Sequence, residues 1–183
     1  MADLLVYRRG ELLPPHFYYQ AQAAMRIIFE YSDDEDLESQ SDPQMMHMVI
    51  GKSRELIAYA GIICTAIEHQ GIAYKCYGLT GVLTFPAFRK KGYGGRLIEA
   101  ANNLIREDAS ADIALLWTAT HNVRFYAQQG WEPMPNMQTF DGDPAQPTPH
   151  NDEVRLMLFL SEKGKQGRDT FEHGQVYVGV ESW

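Results

Sequence analysis

The chain is poor in cysteine, with two in 183 residues, Cys64 and Cys76. That is too few for a secreted disulfide scaffold and neither sits at metal-ligand spacing, so reduced thiols are expected. The six histidines stand singly, none paired with Cys or carboxylates at ligand spacing, and no metal is expected. No apolar run approaches the roughly 18 residues that a membrane-spanning helix needs, which argues against a membrane partner. The first ten residues show no charged start, apolar stretch or small-residue cleavage site of an export signal, so a cytoplasmic location is expected. Internal repeats, low-complexity tracts and an obvious linker between two cores are also missing, and residues 1–183 read as a single domain.

Basic charge is the other shortage. There are 16 Lys and Arg against 24 Asp and Glu, a net charge of −8. This balance disfavours nucleic acid, whose phosphate backbone is held by clustered Lys and Arg. It suits a cationic partner better. Six of the acids, Asp33, Asp34, Glu35, Asp36, Glu38 and Asp42, fall in one short segment that has no Lys or Arg. Such a run reads either as a solvated loop or as a lip that attracts a polyamine-like substrate.

What is present alternates between strand and helix patterns. Asp3 to Arg9 reads as a first strand, and Pro14 and Pro15 suit the start of a helix carrying Phe17, Ala21, Ala24, Met25 and Ile28 on one face. Two apolar stretches, Gln44 to Ile50 and Glu55 to Glu68, joined at Gly51-Lys52-Ser53, predict a hairpin. A turn at His69-Gln70-Gly71 leads to a strand from Ile72 to Thr84; centred on Gln70, it sets Cys64 opposite Cys76. A helix through Leu97, Ile98, Ala101, Leu104 and Ile105 ends near Asp108, and Asp112 to Thr120 is a further strand. Asn122 is placed to cap a short helix that Gly130 stops. Five of the nine prolines lie between Pro133 and Pro149, so 139–153 reads as mostly loop. Val154 to Leu160 is a strand, and residues 162–183 form a tail, polar at first, with a last short strand near Val176 to Val180. The order implies a mixed α/β sheet.

The strongest chemical signal runs from Gly81 to Leu97. A strand enters a glycine-rich basic turn, Arg89-Lys90-Lys91-Gly92-Tyr93-Gly94-Gly95-Arg96, and a helix follows directly. That arrangement aims free backbone N–H groups and the positive end of a helix dipole at an anion such as a pyrophosphate. The dinucleotide pattern G-x-G-x-x-G fails because Leu97 stands where its third glycine belongs. A Walker-type phosphate loop at Gly51-Lys52-Ser53 fails because Met46 replaces its first glycine.

Arg-x-x-Gly-x-Gly at Arg89 to Gly94, together with Asn122-Val123-Arg124-Phe125-Tyr126-Ala127-Gln128-Gln129-Gly130-Trp131, resembles the GNAT superfamily of N-acetyltransferases over about Gly81 to Trp131. The resemblance implies a mixed, mostly antiparallel sheet with splayed fourth and fifth strands and helices on both faces. It implies acetyl-CoA as cosubstrate, with the backbone of Val82, Leu83 and Thr84 pairing with the pantetheine arm. It further implies that Arg89, Lys90, Lys91, Gly92, Tyr93, Gly94 and Gly95 hold the pyrophosphate, with Asn122 nearby. Tyr126 aligns with the acid that protonates the departing thiolate.

Within the superfamily, Arg124 to Trp131, the Pro/Asp-rich loop before Val154 and the tail ending in Trp183 are similar to the aminoglycoside 2′-N-acetyltransferases. That similarity implies substrate contacts from Gly81, Asp152, Glu181 and the terminal carboxylate of Trp183. Two departures stand out. Thr80 occupies the position, before Gly81-Val82, of a family glutamate that accepts the substrate proton, and a hydroxyl can at best order a water there. Trp117, where the family has a small residue, narrows the acceptor cleft. The expected function is therefore acetyl transfer to a primary amine of a small polycation, an aminoglycoside among the candidates. Acetylation of a peptide or protein amine, or CoA sensing without turnover, remain alternatives, and a homodimer is compatible with the sequence.

Overall fold

A computed structural model of the chain describes residues 2–29, 45–150 and 153–180. The first strand is β1 (Asp3–Tyr7), and α1 (Pro15–Phe29) starts at the second of the paired prolines, where the missing N–H has no helical partner to lose. The acidic segment at 33–42 lies outside the described residues. β2 (Met46–Lys52) and β3 (Glu55–His69) form the expected hairpin, with its turn at Ser53-Arg54 because Gly51 and Lys52 continue the strand. β4 (Ile72–Thr84) follows a turn whose two residues, Gln70 and Gly71, are both left-handed at φ 50° and 76°. A two-residue turn of this kind is centred between its residues. The expected facing of Cys64 and Cys76 is thereby offset by one position, and both thiols are free.

α2 (Tyr93–Arg106), β5 (Ile113–Thr118) and α3 (Val123–Ala127) fall close to their sequence positions. After β6 (Glu132–Met134), the proline-rich stretch holds, around the loop at 142–147, a hairpin that sequence reading did not anticipate, formed by β7 (Gln138–Asp141) and β8 (Thr148–His150). Pro149 is tolerated there because β8 is an edge strand. After β9 (Val154–Phe159), the polar start of the tail is α4 (Glu162–Glu172), and β10 (Gln175–Gly179) ends the described chain. The hydrogen-bonded strand orders are β1-β2-β3-β4-β5-β9-β6 and β10-β7-β8. In the larger sheet β4 and β5 pair parallel, while β1–β2, β2–β3, β5–β9 and β6–β9 pair antiparallel. The β4–β5 ladder holds only Cys76↔Ile113, Tyr77↔Ala114 and Gly78↔Leu115, and β4 runs on to Thr84 without extending it.

The contacts divide the chain into two compact units, Met1–Ile63 with Leu79–Asn102, and Cys64–Gly78 with Asn103–Trp183. In the first, α1 packs Phe17, Ala21, Ala24 and Met25 against Val49, Leu56, Tyr59 and Leu83. In the second, Ile67, Tyr74, Cys76, Ile113, Leu115, Met157, Phe171 and Val176 share a core.

Asp112 organises the second unit. Its carboxylate accepts from the Lys75 N–H at 2.9 Å and the Ser161 hydroxyl at 2.7 Å, and pairs with Lys163 Nζ at 2.6 Å. Its carbonyl accepts from the N–H groups of Leu160 and Ser161. α4 begins there, with Ser161 accepting from the Gly164 N–H as N-cap. Gly164 and Gly167, which weaken α4 as a sequence signal, are what let it approach. A Cβ at Gly164 would collide with the Asp112 carbonyl, and one at Gly167 would lie 2.6 Å from the Tyr74 hydroxyl.

Burial pushes the Asp112 carboxyl upward, but the hydrogen bonds from Lys163, Ser161 and Lys75 and the Lys163 charge outweigh it and hold the carboxyl below its ordinary value. A lowered folded-state pKa contributes stability that is present above the unfolded value of about 3.9 and is lost as pH falls through the folded value. Asp112→Asn should cost about 1–3 kcal/mol at neutral pH in urea unfolding. The gap from the wild type should narrow below about pH 4; a gap independent of pH would remove the carboxylate's charge from the account.

Candidate active site

In the first unit the segment from Thr80 to Gly95 forms a continuous strand, turn and helix start. Gly81 interrupts β4 with φ +57°, a left-handed conformation that side-chain-bearing residues avoid. A Cβ on it would lie 3.0 Å from Met25 Cε and 3.4 Å from Tyr59 Cε1. The Leu83 side chain is buried in the α1 core, 3% exposed, so what this residue offers outside the core is its backbone. Val82 and Thr84 are half-buried. The Thr80 methyl would lie 2.9 Å from a Cβ on Gly61, with Met45 Sδ at the same distance. Sequence reading missed the pair beside it. The Tyr59 hydroxyl lies 2.8 Å from His47 Nδ1 and 3.8 Å from Met45 Sδ, and both residues are buried.

Beyond Thr84, a 3-10 turn over Pro86–Phe88 leads to the basic turn. Lys90 and Gly92 are left-handed, at φ 60° and 83°, on either side of Lys91, an alternation that turns successive N–H groups toward one side. The first helical hydrogen bond from this end is Arg96 N–H to the Gly92 carbonyl, so the N–H groups of Tyr93, Gly94 and Gly95 are left for another acceptor. The first turn of α2 holds no acidic residue.

The basic side chains also bond within the protein. Arg89 Nε donates to the Thr84 carbonyl at 3.0 Å, and Lys91 Nζ donates to the Ala87 carbonyl at 2.9 Å while lying 5.5 Å above the Phe88 ring. Arg96 donates to the Ala2 carbonyl. Arg89 and Lys91 thus brace the turn and Arg96 ties the start of α2 to Ala2, while the exposed Lys90 and the helix N–H groups remain to meet an anion.

In the second unit, a 3-10 turn over Thr120–Asn122 runs into α3. Asn122 is itself helical there, at φ −93° and ψ −11°, and makes no capping bond, contrary to expectation. Its amide donates to the Thr118 hydroxyl at 3.3 Å. Tyr126 is 7% exposed, and its carbonyl accepts from the N–H groups of Gln129 and Trp131, which closes the chain around left-handed Gly130. Burial first, and the Glu153 charge second, raise the Tyr126 phenol above its ordinary value. Such a phenol is protonated at neutral pH and suits an acid. Trp117 is half-buried, its ring 5.2 Å from that of His150, which bonds Asp141 through Nε2 at 2.9 Å and Thr139 through Nδ1 at 3.1 Å. Both His150 nitrogens are therefore engaged. Asp152, Glu181 and Trp183 lie outside the described residues. Among the described residues no group of three or more His, Cys, Asp and Glu gathers as a metal site, and no helix is long and apolar enough to cross a membrane.

Residues 18–134 match the family model described as an acetyltransferase (GNAT) domain. The chain belongs to the GNAT acetyltransferase family. Comparison with curated protein sequences returns no match. Among solved structures the GNAT chain is similar to Escherichia coli ElaA, at 16% identity and TM-score 0.64 over 86% of this chain and 99% of that one. It is also similar to Arabidopsis thaliana NAA60 in complex with acetyl-CoA, at 14% identity and TM-score 0.65 over 87% and 99%. A third is an aminoglycoside 6′-N-acetyltransferase complexed with coenzyme A, at 18% identity and TM-score 0.57 over 87% and 97%. At such identities the likeness is one of fold, a mixed α/β fold with a mostly antiparallel sheet.

Gly81 and Gly92 separate two costs that can be measured. Gly81→Ala meets both backbone strain and Met25, and should lose about 2–3 kcal/mol of stability. Gly92→Ala, with open space at its Cβ position, should lose about 1–2 kcal/mol from strain alone. Equal losses in urea unfolding would show that Met25 yields without cost.

Proposed function

We propose that the protein is an acetyl-CoA-dependent N-acetyltransferase acting on a primary amine of a small polycation, with aminoglycosides the first class to test. The observation that carries the acetyl-CoA part is the start of α2. Backbone N–H groups converge there behind two left-handed residues, with Lys90 exposed and no acid in the first turn, which fits a pyrophosphate. Acetyl-CoA, when bound, supplies a thioester whose carbonyl carbon accepts the amine.

The roles follow from what each residue presents. Val82 and Thr84 offer their backbone along β4 to the pantetheine arm, and the N–H near Leu83 offers a donor to the oxyanion. The neutral amine attacks, the C–N bond forms and the C–S bond breaks. Tyr126 gives its proton to the leaving thiolate and is reprotonated from water. The ammonium proton of the substrate leaves through water, because Thr80 offers a hydroxyl in place of a carboxylate. The net charge of −8 supports a cationic acceptor, and Asp152 and Glu181 extend the same reading. Two free thiols suit a reducing compartment, and we place the protein in the cytoplasm.

Tyr126→Phe should slow thiol release from acetyl-CoA by about 10²-fold or more while leaving acetyl-CoA affinity within about twofold. Unchanged turnover would remove Tyr126 as the acid. For the acceptor, an aminoglycoside with a free 2′-amine should outpace one with a 2′-hydroxyl in the same assay, and equal rates would exclude 2′-specificity.

A further inference from the structure

We infer that Tyr59 is a positioning residue for acetyl-CoA, the side chain against which Gly81 sets the β4 backbone that meets the pantetheine arm. The inference rests on the backbone pairing proposed above for Val82 and Thr84. A strand offers a ladder to a ligand only while its own course is fixed. Gly81, at φ +57° inside β4, is a point where that course changes. An unusual backbone conformation of this kind persists where its surroundings hold it.

Two side chains stand behind Gly81. From the place its Cβ would take, Met25 Cε is 3.0 Å away and Tyr59 Cε1 is 3.4 Å away. They differ in stiffness. Met25, on α1, is an unbranched thioether that fills a gap without defining its shape. Tyr59, on β3, is a rigid ring, 1% exposed, in the core cluster that also contains Met25 and Leu83. Gly81 and Leu83, the residues on either side of Val82, therefore rest on the same cluster.

The hydroxyl fixes the ring. The β2–β3 register sets His47 against Gly61 and Val49 against Tyr59, so His47 and Tyr59 are diagonal neighbours. The phenol oxygen lies 3.4 Å from the place a Cβ on Gly61 would take, 2.8 Å from His47 Nδ1 and 3.8 Å from Met45 Sδ. With Nδ1 bare, the phenol donates to His47. With Nδ1 carrying the hydrogen, the phenol accepts from it and donates to Met45. The phenol is thus bonded in either tautomer, and burial raises it above its ordinary value, which keeps its hydrogen in place. A phenylalanine would fill the same volume without a polar group to desolvate. What the hydroxyl adds is a fixed ring position directly behind Gly81.

The test titrates wild type, Tyr59→Phe and Tyr59→Leu calorimetrically with acetyl-CoA and with adenosine 3′-phosphate 5′-diphosphate. The second probe carries the phosphates of CoA without the pantetheine arm, so it reads the glycine-rich turn alone. Tyr59→Phe keeps the ring and unties it, and should weaken acetyl-CoA binding about fivefold. Tyr59→Leu removes the ring and should weaken it about twentyfold, while the nucleotide probe stays within about twofold in both variants. Tyr59→Phe keeps the core filled and carries the test if Tyr59→Leu does not fold. Unchanged acetyl-CoA affinity in Tyr59→Phe, or an equal loss for both probes, would overturn this inference alone. Wild type binding acetyl-CoA no more tightly than the nucleotide probe would overturn the pairing of the arm along β4, and this inference with it. The readout needs no acceptor, so failure of wild type to release thiol with any amine, with the expected binding pattern intact, would overturn the proposed transfer and leave the positioning role supported.

Discussion

One buried carboxylate, Asp112, sets the geometry of the second unit. It ties β4 through the Lys75 N–H and the start of α4 through the Ser161 hydroxyl and Lys163, while the carbonyl of the same residue holds the end of β9 through the Leu160 and Ser161 N–H groups. A buried charge is tolerable only when it is matched by donors, and here they come from β4 and from the start of α4 at once. The β4–β5 ladder is short, so Asp112 adds a cross-tie next to it that hydrogen-bonded strand pairs alone would not provide. α4 answers with two glycines whose missing side chains leave room for the Asp112 carbonyl and the Tyr74 ring. Polar satisfaction and close approach are thus one constraint, written in residues far apart in the chain.

The glycine-rich turn of the first unit is built on a different principle. Side-chain cations there mostly close the turn on itself, through Arg89 to Thr84 and Lys91 to Ala87. Long cationic side chains lose rotamer freedom when they grip a ligand, whereas helix N–H groups are already oriented by the backbone. A turn whose cations are internal braces and whose backbone donors face outward is preorganised before any phosphate arrives. In a chain of net charge −8 this matters, because a loosely held basic patch would be drawn to the protein's own acids.

Much of this was legible in the sequence, and the failures have physical causes. β4 was readable end to end because Gly71 and Pro86 punctuate an apolar run, and the glycine turn was readable because Gly92, Gly94 and Gly95 announce backbone exposure at a helix start. α4 was not, since its interior glycines and scarce apolar residues hide a helix whose stability comes from Asp112 and Phe171; the Ser161 cap followed by Glu162 was the available signal. The hairpin of β7 and β8 was obscured by prolines that an edge strand accepts. Asn122 has the composition of a cap, but the 3-10 turn before it makes its backbone helical already, and its amide turns to Thr118 instead. Bracing of the turn by Arg89 and Lys91 was invisible because composition shows charge and not direction.

Thr80 can be understood in the same terms. Gly61 has no side chain, and the space a Cβ would fill there is taken by the Thr80 methyl and Met45 Sδ, with the Tyr59 hydroxyl 3.4 Å away. A glutamate at position 80 would bring a carboxylate against a thioether and a phenol already committed to His47 and Met45, in a region where His47, Tyr59 and Met45 are all buried. Threonine fits this surface by presenting a methyl to it.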